Sequence, residues 1–180
     1  MMKKILYLII ISSISICCTQ NDVDFSDDYV YDGRGGVKCK VDGVRLKPSD
    51  AFLYGNARLN IDSDEVGEFL SLSFHNNNQS TGLGYQYIKI LIRDANAFGS
   101  NMTGNTYPLL NGDLHEGYGK YVLGNFDNPF ETNSTVVGEL HVLYHDPLKG
   151  IVAGTFWFDA INNEGITKEI RDGQFDMWEG

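Results

Sequence analysis

Residues 68–76, EFLSLSFHN, alternate without a break: Leu70, Leu72 and Phe74 take one set of positions, Ser71, Ser73 and His75 the other. A period of two places the two sets on opposite faces of an extended strand, one face buried and one wetted. A helix would scatter the same residues around its surface, so this stretch commits the chain to a sheet. The pattern recurs. In VKCKVDGVRLK, Val37, Cys39 and Val41 face one way and Lys38 and Lys40 the other. Asp42-Gly43 then supplies a two-residue turn, and Val44 and Leu46 continue on a return strand. Cys39 therefore points inward and reads as a small core hydrophobe.

Further strands follow. ARLNID sets Leu59 beside Ile61, and YQYIKILIRD sets Ile88, Ile90 and Ile92 on one face. YGKYVLGNF is a shorter run, VGELHVLYHD groups Leu140, Val142 and Tyr144, and GTFWFDAIN groups Phe156, Phe158 and Ala160. ITKEI and GQFDMW close the chain, and SDAFLYGNA holds the one candidate helical turn. Breaks rich in Gly, Asn, Asp and Pro separate these runs, and no long stretch keeps a helical period. The expectation is an all-β fold, an antiparallel β-sandwich or small barrel of about 8–10 strands.

The N-terminus is of another kind. Lys3 and Lys4 precede an apolar run from Ile5 to Ile16. Those residues fall short of the roughly 20 needed to cross a bilayer core. A basic start, a short apolar run and small residues near its end form a secretory signal. The cysteines that follow make the segment resemble the lipobox of bacterial lipoproteins, in which a signal peptidase cuts before a cysteine that carries the lipid. Cys18 is the favoured attachment residue, because the position beside the cut tolerates bulk least and Cys17 fills it better than Ile16 would; Cys17 is the alternative. The resemblance implies a palmitate-type acyl anchor of three chains, ample for stable attachment. With Cys18 lipidated and Cys17 removed, Cys39 has no partner within the chain; with Cys17 lipidated, Cys18 could reach it.

The domain plan expected is a signal peptide over 1–17, an acidic flexible tether over 18–36, and a single β-rich domain over 37–180. The tether assignment rests on Asp22, Asp24, Asp27, Asp28 and Asp32, which repel one another, and on Gly33, Gly35 and Gly36. Acids soon after the lipid cysteine also resemble the surface-export signal of Bacteroidetes lipoproteins. Removing residues 1–17 takes two lysines from 14 Lys and Arg and no acid from 24 Asp and Glu, leaving a charge of −12. That charge excludes nucleic acid as a partner through electrostatics, which needs a basic patch.

CKVDGVRL, GTFWFDAIN and ITKEIRDGQFD together resemble a family of small Bacteroidetes lipoproteins of unknown function. Its members open with an apolar strand, a turn through Asp-Gly or Asn-Gly and a return strand. They close with a Gly-x-Phe-x-Phe-x-Ala strand and a final strand after Asp-Gly or Glu-Gly. Leu46 stands where the family often has Trp. The resemblance implies a β-rich lipoprotein and implies no activity; the expected location is the cell envelope, as an outer-membrane lipoprotein on either the periplasmic side or, as the export-signal resemblance implies, the outer surface.

Motifs for chemistry are thin. His141 and His145 share a strand face but lie about 13 Å apart, too far to chelate one ion. His75 and His115 are solitary. DSDEVG starts like a calcium loop, but Val66 occupies a ligand position and Ser73 stands where a bidentate Glu is required. No Gly-x-Ser-x-Gly elbow is present. Paired carboxylates drawn from Glu139, Asp159, Glu164, Asp172 and Asp176 have no distinguishing spacing. No metal, cofactor or catalytic residue is expected.

Binding remains. Two polar loops, 75–85 and 96–121, carry or flank Tyr85, Tyr107, Tyr118 and Tyr121, and Trp157 sits opposite Phe156 and Phe158. Such rings offer a flat apolar face and a polar tip, suited to sugars or a protein surface. The expected function is a lipid-anchored, non-enzymatic binding module for a glycan, peptide or partner protein. A structural or accessory subunit of an envelope complex is the alternative, and a hydrolase a third.

Overall fold

A computed structural model describes residues 23–49, 55–77, 84–93, 100–111 and 117–180. Cys17, Cys18 and His115 lie outside these residues, as does most of the candidate helical turn near position 52. Among the described residues there are eleven strands: β1 Gly36–Val41, β2 Val44–Leu46, β3 Ala57–Asp64, β4 Gly67–Asn76, β5 Gln86–Arg93, β6 Thr106–Leu109, β7 Tyr118–Leu123, β8 Phe130–Glu131, β9 Gly138–Asp146, β10 Ile151–Ile161 and β11 Thr167–Trp178. They form one antiparallel sheet in the order β2-β1-β11-β10-β8-β7-β5-β4-β3, with β9 on β10 and β6 on β9. The fold is all-β, and it is one curled sheet, a half-barrel, rather than two stacked ones. β3, one edge of the sheet, meets the end of β11 at an isolated parallel bridge between Leu59 and Glu179.

Alternation builds the inner face as the sequence implies. Leu70, Leu72 and Phe74 meet Ile88, Ile90 and Ile92 across β4 and β5, all at 0–1 % exposure. Asp42 and Gly43 both take positive φ (49° and 79°) to close the first hairpin. Phe158 lies at the centre of the fold, fully buried, where burial is worth about 1.5–3 kcal/mol. Two glycines make room for its ring: a Cβ on Gly119 would stand 2.7 Å from it, and one on Gly138 would stand 2.3 Å from its own Cβ.

Two bulges change the phase of the alternation. In β11, Gly173 and Ile170 face Phe156 and Phe158 of β10, so that Arg171 and Asp172 stand against Trp157 alone, and β11 has the same excess of one residue against β1. Asp172, at φ 52°, absorbs the extra residue. Ile170 and Phe175 thereby both reach the core despite their odd spacing. ITKEI and GQFDMW are therefore one strand of twelve residues, and Asp172-Gly173 is a bulge inside it rather than a turn before it. In β9, Leu143 is the extra residue against β10. Beyond it the faces exchange: Tyr144, expected in the core, lies on the outer face, and His145, expected at the surface, is 4 % exposed.

The tether expectation also needs correction. From Val23 onward the segment is docked on the outer face of the sheet. Val23 is 1 % exposed and donates its N–H to the Gly35 carbonyl at 3.1 Å. Asp176, on β11 and fully buried, gathers the segment. It accepts from the Tyr29 hydroxyl at 2.9 Å and from the Gly33 and Asp32 amides at 2.9 and 3.3 Å. Phe25, Tyr29 and Tyr31 pack edge to face with centroids 5.0–5.4 Å apart, and Tyr31 stacks on Tyr144 at 5.2 Å. Asp24, Asp27, Asp28 and Asp32 point to water, so their repulsion does not oppose docking. The acids set the composition of the segment; its interleaved aromatics set its structure.

Candidate functional site

The predicted rings do not converge. Tyr107 and Tyr121 are core residues, 6 % and 2 % exposed. The Tyr121 hydroxyl donates to Gln86 Oε1 at 2.9 Å, and the Tyr107 hydroxyl accepts from Asn105 Nδ2 at 3.1 Å. Neither offers a face to a ligand, because on β6 and β7 the inward positions fall on these tyrosines. Tyr118 and Trp157 do stand on the outer face, but each is capped by a cation. Lys89 Nζ lies 5.9 Å from the Tyr118 ring centroid, and the Arg171 guanidinium lies 5.5 Å from that of Trp157. Arg171 is itself held by Asp159 at 2.5 Å and by the Phe158 and Ile170 carbonyls at 3.2 and 2.9 Å. The platform on Trp157 is thus occupied by the protein's own side chain.

Tyr85 is different. It belongs to an aromatic ridge at the sheet pole where β4 passes to β5 and β7 to β8. Its ring lies 5.8 Å from His75 and 5.9 Å from Phe126, and Phe126 lies 5.6 Å from Tyr87. Phe126 is 58 % exposed. Partial burial, with Tyr87 beside it, pushes the Tyr85 hydroxyl above its ordinary pKa, so it is neutral and able to donate throughout the physiological range.

The β7–β8 connection explains why Phe126 projects. Gly124 takes φ 80° and donates its N–H to the Tyr85 carbonyl at 2.8 Å, which ties the loop to the start of β5. At its far side, Asn128 Nδ2 donates to Glu164 at 3.1 Å and Asn128 Oδ1 accepts from the Asn163 amide at 3.2 Å. The loop is pinned at both ends and lifts one large apolar side chain over two tyrosines. On the neighbouring side, the His75 amide donates to Asn56 and its carbonyl accepts from Ser49, at 2.8 and 3.3 Å.

Phe126, Tyr87 and His75 were not among the predicted binding residues. The signal was a large hydrophobe inside GNFDNP, a setting in which turn chemistry favours polar residues. His145, by contrast, is structural. Its Nδ1 accepts from the buried Met102 amide at 3.0 Å, its own amide donates to Thr103, and burial pushes its pKa down. Cys39 is buried among apolar side chains, and burial pushes its thiol far above the ordinary range, which leaves it unreactive in the folded state. Asp64 does not join a cation site: Arg93 holds it through both oxygens at 2.9 and 2.8 Å, across a tight hairpin in which Asp64 pairs with Gly67. Among the described residues no group of three or more His, Cys, Asp or Glu is placed to hold a metal ion.

Comparison of the chain with models of protein families, with curated proteins and with solved structures gives no match in any of the three.

Proposed function

We propose that the chain is a lipid-anchored lipoprotein of the cell envelope that binds a surface glycan, without catalysis, through the ridge formed by Tyr85, Tyr87, Phe126 and His75. The observation that carries this reading is Phe126, 58 % exposed yet held over two tyrosine rings by a loop bonded at both ends. Flat rings suit the apolar faces of sugars, and the neighbouring tyrosine hydroxyls and asparagines supply polar contacts. Because the rings are ordered beforehand, little freedom is lost on binding.

A protein partner, as for an accessory subunit of an envelope complex, is the second reading. Ile166 and Val44, 49 % and 57 % exposed, add apolar surface beside the β10–β11 and β1–β2 turns at the same pole.

The test is an array of bacterial and host surface glycans probed with the domain and with Phe126→Ala. Loss of a central aromatic anchor should cost about 2 kcal/mol, near thirtyfold in affinity. The native melt should persist, since the side chain is largely in water. A glycan bound equally by both proteins would refute the ridge as the site. A protein captured through the ridge with no glycan bound would favour the second reading.

A further inference from the structure

The N-terminal clasp bears on how an anchored domain would be oriented. Val23 is buried against Gly35 beside Asp176, and Asp176 pairs with Ala153 near the start of β10. The clasp therefore sits at the pole where β9 turns into β10. Cys18 lies five residues before Val23. That much chain spans at most about 18 Å, or about 22 Å from Cys17, whereas a free tether from Cys18 to Val37 would reach about 65 Å.

The aromatic ridge lies at the other pole. Asn128 ties its loop to Asn163 and Glu164, just past the end of β10. From Ala153, which Asp176 faces, to Ile161 at its far end, β10 runs about 26 Å at 3.3 Å per residue. With the clasp docked, the anchor cannot reach far enough for the domain to invert. The clasp pole also carries isolated apolar side chains: Leu148, at the β9–β10 turn, is 97 % exposed, and Val30 is 75 % exposed. Asp24, Asp27 and Asp28, on the same segment as Val30, are exposed, which favours a zwitterionic surface over an anionic one.

Resting on the acyl-anchor reading above, we infer that this pole faces a zwitterionic lipid surface, with Leu148 and Val30 against it, and that the Phe126 ridge is thereby held outward.

The chain's two tryptophans report this directly. Trp178 stands beside the clasp, with the Arg34 guanidinium 5.5 Å from its ring, and pairs with Ile151. Trp157 lies six residues farther along β10, about 20 Å away. Full chain made in a lipoprotein-processing bacterium is placed in phosphatidylcholine vesicles carrying a headgroup energy acceptor. Transfer in Trp157→Phe, where Trp178 is the donor, should exceed severalfold that in Trp178→Phe, where Trp157 is the donor. Adding Leu148→Trp to Trp157→Phe should raise it further, and this comparison stands even where Trp178→Phe does not fold. Equal transfer from both tryptophans, or none gained at position 148, with the chain bound to vesicles, would overturn the orientation. Failure of the chain to float with vesicles at all would instead overturn the anchor.

Discussion

Replacing Asp176 with alanine should release the N-terminal clasp without unfolding the sheet. The carboxylate is fully buried and accepts at 2.9 Å from the Tyr29 hydroxyl and from the Gly33 amide. Hydrogen bonds to a charged acceptor contribute about 1.5–3 kcal/mol each, so the two together hold the docked segment by roughly 3–6 kcal/mol. The third bond, to Asp32 at 3.3 Å, is long and adds little. The penalty has an upper limit, because Tyr29 and Gly33 can return to water if residues 23–35 lift away. The loss therefore falls on local opening and not on the core. A drop of 3 kcal/mol in the opening free energy speeds amide exchange by about 100-fold. Exchange measured by mass spectrometry should show that acceleration at Val23 and Gly33, with amides facing Leu72 and Ile90 unchanged. Asp176→Asn, which keeps one acceptor, should give an intermediate effect. Unaltered exchange at Val23 and Gly33 would refute Asp176 as the organising group. Equal acceleration across β4 and β5 would show that clasp and sheet unfold as one unit.

Other perturbations test other parts of the fold. Burial lowers the pKa of His145 below its unfolded value near 6.5. The unfolded chain then binds the extra proton more readily, so the His145 contribution is fully present above that value and is lost as pH falls through the folded pKa. Urea unfolding at pH 7.5 and pH 5 should show this loss, and His145→Phe should flatten the slope. An unchanged slope would remove His145 as its source. At Gly138, a Cβ would stand 2.3 Å from both the Phe158 Cβ and the Trp157 carbonyl. Gly138→Ala should therefore destabilise by about 1–3 kcal/mol or more through overpacking, lowering the melting temperature by several degrees. A melt within one degree of the parent chain would contradict that packing.

The strands were legible wherever alternation ran unbroken. Leu70, Leu72 and Phe74, and equally Phe156, Phe158 and Ala160, are buried together as their spacing requires. Asp42-Gly43 makes the turn that its residues encode. Legibility failed at the bulges, because one extra residue at Leu143 or Asp172 reverses every later inward assignment, and no local composition marks it except the Asp-Gly pair. It also failed for strands too short to carry a period, β6 with four residues and β8 with two. The clasp was hidden for another reason. The aspartates alone imply a self-repelling, free segment, while Phe25, Tyr29 and Tyr31, interleaved among them, decide the outcome by packing together and on Tyr144 and by bonding to Asp176. Of the predicted binding rings only Tyr85 lies in the exposed cluster, since tyrosine serves core and surface alike and period alone does not say which end of a sheet a ligand meets.

Both the proposed function at the envelope and the outward-facing ridge depend on the acyl anchor. The most direct test is the mass of the membrane-extracted mature chain, with fragmentation of its N-terminal peptide. A triacylated peptide beginning at Cys18, or at Cys17, is the expected result, and it would place the lipid within about 22 Å of the buried Val23. An unmodified N-terminus on a chain recovered in the soluble fraction would contradict it.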